Sequence, residues 1–525
     1  MAQTPANEPN QAQETRTAKS PWPKRLLIGA IILVACVGLI VGGVALDRAL
    51  KMKSGDAGAF SPIFFNTSST DGRFTTDIMY RIEKAETRAD DDEQDAALGE
   101  QNDEAKSSRE SDNGETAGEQ AAETTEVTAT VLWDDQWFFA DSAEYNHELA
   151  EACAVISAAA DADAERVAAM NSDAEDGGAE AGKIRGIPRG ESCTEQALKA
   201  LGFKNVTTSK FQPTDDASDA TLHLFAGDDS LGAYTIATKR ITSKSGDEKV
   251  LAIVCPHVAC GDDWTDRLEP DGRDADDDAD SDDADDAAVD ADGGGETATE
   301  TTPTLASAIM ADLANRADKH PGENVALLFC GSGQSGAVAN LAAAFADSTA
   351  IGPRSIAKHD SIFAYTFGSP ATTASATASN STYDNIFNIV NPADAVAAFP
   401  LGEWGYTRYG ANLTLPSAEG KTFKDRSAKM LNGYKRLTGE KCAFDPDDEQ
   451  ILTAFCSELA ERSAGTANSP DAVAEAIAEI GPDLATDSME TSHSATAYVA
   501  WMQATSGKDL DREPAVSAEQ SGASE

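Results

Sequence analysis

The sequence predicts an α/β domain: a mostly parallel sheet with helices on both faces, preceded by one N-terminal transmembrane helix and interrupted by disordered acidic insertions. Short continuous apolar runs alternate with helix-patterned segments, as expected of strands buried on both faces and the helices that cover them. One run, Leu26–Leu46, carries no charge over 21 residues, and about 20 apolar residues suffice for a helix to span the hydrocarbon core. Several tracts are acidic, Ala-rich and free of aromatic residues. Such tracts cannot bury enough apolar surface to offset their ordering entropy.

From the N-terminus, residues 1–25 read as a polar cytoplasmic tail and 26–46 as the membrane helix. Lys24 and Arg25 abut its start, while Arg48, Lys51 and Lys53 follow it, so the charge asymmetry is small. The run exceeds the roughly 7–15 residues of a signal-peptide core, and no small-x-small cleavage site follows it. An uncleaved signal anchor is therefore expected: single-pass in the cell membrane, N-terminus inside and main domain outside. Residues 47–126 read as a juxtamembrane segment and acidic linker, in which "FSPIFFNTSSTDGRFTTDIMYRI" is either a short strand or a segment packed on the domain.

The domain is expected over 127–507, with disordered insertions at about 161–190 and 271–302 and a disordered tail at 508–525. "SAEYNHELAEACAVISAAA" and the stretch Cys193 to Leu201 carry helical patterns. "ATLHLFAG", "GAYTIATKRI" and "EKVLAIVC" read as strands. After the second insertion, Leu305 to Lys319 reads as a helix, "NVALLFC" as a strand, Gly336 to Ala346 as a helix, and "SIFAYTF" and "DNIFNIV" as further strands. Helices are expected near Asp448 to Arg462, Ala472 to Ile480 and Ser494 to Gln503.

The formal charge is -49, from 41 Lys+Arg against 90 Asp+Glu. Such a charge disfavours nucleic acid and anionic lipid surfaces as partners. No cofactor is implied. No metal site is expected: no CxxC pair has matching histidines, and the Asp-rich tract 271–302 lacks the ordered calcium-loop spacing. In an oxidising compartment, Cys255 with Cys260, Cys442 with Cys456 and Cys153 with Cys193 are the expected disulfides. Cys330, on an apolar strand, is left as a buried free thiol.

Four pieces carry chemistry, in chain order: "VLAIVCPHVACGDDWTDRL"; "LLFCGSGQSGAVANL"; "YTFGSPATT" followed by "YDNIFNIVNPADAVAAFPLGEWGYTRYG"; and "METSHSATAYVAWM". This order resembles the lipase-like α/β-hydrolases, specifically the class 3 lipase group, over roughly residues 130–505 excluding insertions. The resemblance implies an α/β-hydrolase fold, a lipid or ester ligand, Asp394 as the acid and His493 as the base of a catalytic triad, and an oxyanion loop at Asp263 and Trp264. A carboxylate on a loop at the end of a buried strand is independently well placed to orient an imidazole. The bland alternative is a surface aspartate and a histidine at a helix start.

The second piece departs from the family pattern. A nucleophile elbow needs small residues two before and two after its serine, because the strand-to-helix turn is sharp. Aligning "AVANL" with the family's helix puts Gly331 on the first glycine and Gly333 on the serine, so the nucleophile is missing. A second register, "GQSGA", makes Ser335 the nucleophile and the Gly336 N–H an oxyanion donor, but moves the serine into the helix. Ser332 would need a small residue at Cys330. The turn at Cys255-Pro256-His257 also departs from the family, since proline has no N–H to donate to an oxyanion. The expected function is a degenerate lipase-like domain that binds rather than hydrolyses. The rivals are an active ester or lipid hydrolase using Ser335, Asp394 and His493, and a surface scaffold.

Overall fold

The apolar runs become the central strands. The structure is a computed structural model that describes residues 72–83, 124–172, 184–188, 190–214, 230–260, 304–319, 324–350, 355–463 and 486–512. Outside these residues lie the Leu26–Leu46 run, Asp263, Trp264, the strand expected at "ATLHLFAG" and the helix expected near 472–480. Among the described residues no helix is long and apolar enough to cross a membrane.

The strands are β1 (Arg73–Glu83), β2 (Thr124–Asp134), β3 (Lys204–Thr208), β4 (Gln212–Pro213), β5 (Leu231–Thr242), β6 (Glu248–Ala259), β7 (Val325–Ser332), β8 (Ile362–Phe367), β9 (Ile386–Val390), β10 (Ala411–Thr414) and β11 (Asp511–Arg512). The α-helices are α1 (His147–Ser172), α2 (Cys193–Ala200), α3 (Leu305–Asp318), α4 (Gly333–Ser348), α5 (Ala395–Ala398), α6 (Phe423–Thr438), α7 (Asp448–Arg462), α8 (Asp487–His493) and α9 (Ala495–Ala504). Nine strands form one sheet in the order β11-β10-β9-β8-β7-β6-β5-β3, with β4 also paired to β5. β6 to β10 run parallel as successive neighbours. β5, β3, β4 and β11 add antiparallel edges.

Period-2 alternation sorts the side chains to two faces. Leu251, Ile253, Cys255, Ala326, Leu328 and Cys330 enter one core, with residues of α1 and α9. Ala252, Val254, Leu327 and Phe329 enter the other, with residues of α3 and α4. Helices thus cover both faces, which is why the central strands read as unbroken apolar runs.

Several boundaries differ from expectation. β1 lies in the stretch assigned to the juxtamembrane linker, yet it pairs along its length with β2, and Ile78 and Tyr80 are buried in the core. Its alternation "FTTDIMYRI" is that of a half-buried strand. α1 continues to Ser172, into the expected insertion. Its buried Asp163 accepts hydrogen bonds from the Ser192 hydroxyl (2.6 Å), the Cys193 N–H (2.8 Å), and the Thr194 N–H (3.0 Å) and hydroxyl (2.7 Å). This acid therefore satisfies the open N–H groups of α2 rather than solvating a loop. β6 runs through Pro256 and His257 rather than turning at them; its ladder to β7 ends at Val254–Phe329, before the proline. β11 places Asp511 and Arg512 beside Thr414 and Leu413, inside the expected tail.

None of the seven described cysteines is in a disulfide, which corrects the three expected pairings. Cys255 faces inward against Cys330, with the two sulfurs 3.6 Å apart, and is not paired with Cys260.

Candidate active site at the strand ends

The site assembles where the parallel strands end, as is usual for α/β sheets. β7 stops at Ser332 and α4 begins at once with Gly333, whose φ is +51°. That left-handed backbone is the strained conformation of a sharp strand-to-helix turn, and glycine takes it without the Cβ penalty. The turn is tight: a Cβ on Gly331 would lie 2.5 Å from the Ser335 carbonyl oxygen. A Cβ on Gly333 would lie 3.1 Å from Nε2 of His493 and 3.3 Å from its Cε1. The imidazole therefore faces Gly333 across the space that a side chain there would fill.

His493 ends α8. Its Nδ1 lies 2.9 Å and 3.1 Å from the two carboxylate oxygens of Asp394, on the loop after β9. That partner holds the proton on Nδ1 and turns Nε2 towards the elbow. Asp394 is buried, caps α5 by accepting from the Ala397 N–H at 3.1 Å, and accepts from the Tyr498 hydroxyl at 2.7 Å. Tyr498 in turn accepts from the Asn391 N–H at 2.9 Å, and Asn391 donates its side-chain amide to the Ser492 carbonyl at 2.9 Å. Burial, then the neighbouring Asp394, push the Tyr498 phenol well above its usual range, so it remains a donor at neutral pH.

The "TFGSP" motif acquires a physical reason here. Gly368 has φ +58°, and a Cβ on it would stand 2.6 Å from Asp394 Oδ2 and 2.8 Å from the Tyr498 ring. Only glycine lets the end of β8 pass so close to the acid. Arg408, nearly buried, ties this end together by donating to the carbonyls of Ser369 and Ala397. Burial pushes the carboxyl of Asp161, on α1, up to about 6, and the His493 imidazole opposes that rise.

Asp394 and His493, expected as the acid and base, are thus in contact, and Gly333 faces them. Ser335 is buried in the first turn of α4, where its hydroxyl accepts the Val258 N–H at 2.9 Å and ties α4 to β6. Gly336 sits in the same turn; a Cβ on it would meet Ser369 Cβ at 2.9 Å, so it serves close packing. Ser332 is buried at the helix cap and makes no side-chain capping bond. His257 is buried between the Thr235 hydroxyl (2.8 Å) and the Ala160 carbonyl (3.1 Å), away from base chemistry. Among the described residues no three His, Cys, Asp or Glu side chains could hold a metal ion. The parts not foreseen are Tyr498, Asn391, Gly368 and Arg408. The glycine inside "TFGSP" was the one local signal for them.

Sheet order, elbow and the Asp394–His493 pair give a lipase-like α/β fold, and residues 278–404 match the family described as lipase (class 3). Among solved structures the chain is similar to the Rhizomucor miehei lipase–propeptide complex. A deletion mutant of that complex is 13% identical, with a TM-score of 0.21, covering 42% of this chain and 58% of that one. The native complex is 14% identical, with a TM-score of 0.20, covering 40% and 57%. The chain therefore spans less than two thirds of either. No curated protein matches it.

Proposed function

We propose that this chain is a membrane-anchored, extracytoplasmic lipase-like domain that binds a lipid or ester ligand at a hydrolase site without a nucleophile. One observation carries the proposal: the residue at the tip of the elbow, opposite His493 Nε2, is Gly333. An acyl-transfer mechanism needs a hydroxyl or thiol there for the imidazole to deprotonate. The engagement of the Ser335 hydroxyl with the Val258 N–H supports the same reading over the Ser335 register. What is kept is the acid, the base and their hydrogen-bonded support, which suits recognition of a polarised carbonyl or its carboxylate product. A binding or scaffold role follows. An active hydrolase with Ser335, Asp394 and His493 is the rival.

Fluorophosphonate labelling tests the proposal. The unaltered chain should resist the probe. Gly333→Ser should gain labelling after the imidazole yields by a few tenths of an ångström, because the backbone already has the elbow conformation. Labelling of the unaltered chain at Ser335 would overturn the proposal. The anchor and the extracytoplasmic placement rest on the Leu26–Leu46 run. Protease shaving of intact cells should release the acidic domain, and protection until lysis would refute that placement.

A further inference from the structure

A cluster of three buried thiols lies beneath the elbow, outside the site described above. Cys330 is on β7, Cys255 on the adjacent strand β6 and Cys153 on α1, which covers them, and all three are fully buried. The Cys255 and Cys330 sulfurs are 3.6 Å apart. Ser157, one helical turn beyond Cys153, is also buried, and its oxygen has no hydrogen-bond partner of normal geometry among the described residues. Metal binding does not explain the group, because among the described residues no such triad has a metal-holding arrangement.

We propose that Cys255 and Cys330 are an oxidation site, closing to a disulfide between β6 and β7 by exchange with an oxidant that is itself a disulfide. The β6–β7 register ends at Val254–Phe329, so the two cysteines are the next neighbours across parallel strands, and both enter the same core. Strands in a ladder lie about 4.8 Å apart, inside the roughly 4.4–6.8 Å window of Cα separations that a disulfide spans. The sulfurs must approach by about 1.5 Å to reach the bonded distance of about 2.05 Å. Side-chain rotation supplies that approach while the strands keep their spacing.

Cys330 is the hub. Hydrogen bonding with Cys153 and Cys255 draws the Cys330 thiol below its usual range against the opposing effect of burial, while both neighbours are raised. A thiolate is the attacking species in exchange. The Cys330 thiolate attacks one sulfur of the oxidant, forms a mixed disulfide and expels a thiolate. Cys255 then loses its proton, attacks the Cys330 sulfur and expels the second thiolate. The oxidant's disulfide is reduced to two thiols, which take up the two protons, and the Cys255–Cys330 bond forms. Because both sulfurs are buried, exchange proceeds through local opening or during folding. The bond would fix the two strands that meet the elbow: Gly333 follows Cys330 by three residues, and Val258, held by Ser335, follows Cys255 by three.

The test uses the full chain with oxidised glutathione in sub-denaturing urea. Remaining thiols are alkylated after denaturation, and the unreduced digest is read by mass spectrometry. The expected product is a Cys255 peptide linked to a Cys330 peptide, two hydrogens lighter than their sum and lost on reduction, with fragmentation distinguishing Cys255 from Cys260. Cys153→Ala should keep the link and Cys255→Ala should abolish it. The oxidised chain should melt several degrees higher than the reduced one. A Cys153–Cys330 link, or complete alkylation of Cys255 and Cys330 under conditions where hydrogen exchange reports β6 and β7 opening, overturns the proposal. If Cys255→Ala does not fold, the linkage map of the unaltered chain decides it.

Discussion

Replacing Gly368 by alanine should be among the most damaging one-carbon changes in the domain. Two costs add. The φ of +58° disfavours an L-residue by about 1–2 kcal/mol, offset by about 0.4–1 kcal/mol from the smaller entropy of an unfolded alanine. The new methyl would also stand 2.6 Å from Asp394 Oδ2 and 2.8 Å from the Tyr498 ring. Neither neighbour is loose, since both are buried and joined to each other at 2.7 Å. Overpacking of this kind costs about 1–3 kcal/mol, and breaking the phenol–carboxylate bond costs about 1.5–3 kcal/mol. A loss of about 3–5 kcal/mol is expected, a large part of the roughly 5–15 kcal/mol that holds a typical domain. Gly333→Ala is the matched control. Its φ of +51° is nearly the same, but the added carbon meets only the half-buried imidazole of His493, at 3.1 Å. With the same φ cost and the same unfolded-state offset, it should lose only about 0–2 kcal/mol. Urea unfolding followed by far-UV circular dichroism measures both. Equal losses in the two variants, or a loss under about 1 kcal/mol for Gly368→Ala, would refute the claim that close approach to the acid is what requires this glycine.

Other perturbations should separate the roles of neighbouring groups. Tyr498→Phe leaves the Asn391 N–H buried without its partner and removes one donor from Asp394, so urea unfolding should show a loss of about 2–3 kcal/mol; an unchanged midpoint would dismiss that support. Asp347, buried at the far end of α4, has its carboxyl pushed up to about 7 by burial, with His359 pulling it back. Because its folded value exceeds its unfolded one, its contribution is full below about pH 4 and fades as pH rises towards 7. Asp347→Asn should therefore flatten the melting temperature over that window, and a profile as steep as the parent's would contradict the assignment. Deleting 271–302 should leave thermal unfolding cooperative and nearly unshifted, since loop-closure entropy varies slowly with length; a large loss would show that the tract is part of the fold.

The central strands could be read from the chain because burial on both faces leaves no polar interruption in "VLAIVC", "VALLFC" or "IFAYTF". The contact of Asp394 with His493 and the glycine facing them could be anticipated because each residue sits in a local pattern: a strand followed by "NPAD", a histidine before an apolar helix, and a helix register that fixes what precedes it. What escaped depended on distant partners. Asp163 looks like the start of a solvated tract, and only its bonds to Ser192, Cys193 and Thr194 make it a buried cap. β1 carries a plain alternation, but 40 residues of acidic sequence part it from β2, so the pairing had no local signature. α6, "FKDRSAKMLNGYKRLT", buries little beyond Met430, Gly433 and Leu437 and reads as a polar segment. Cysteine spacing suggested Cys255 with Cys260, whereas strand register sets Cys255 against Cys330.

The most direct measurement of the central claim is turnover of short-chain esters by the full chain beside its Ser335→Ala variant. The Ser335 hydroxyl holds the Val258 N–H, so its removal should cost some stability and change no activity. With Gly333 facing His493, neither protein should exceed the buffer rate, because the imidazole has no hydroxyl to deprotonate. Clear turnover by the unaltered chain that vanishes with Ser335→Ala, while the variant remains folded, would contradict the account and make Ser335 the nucleophile.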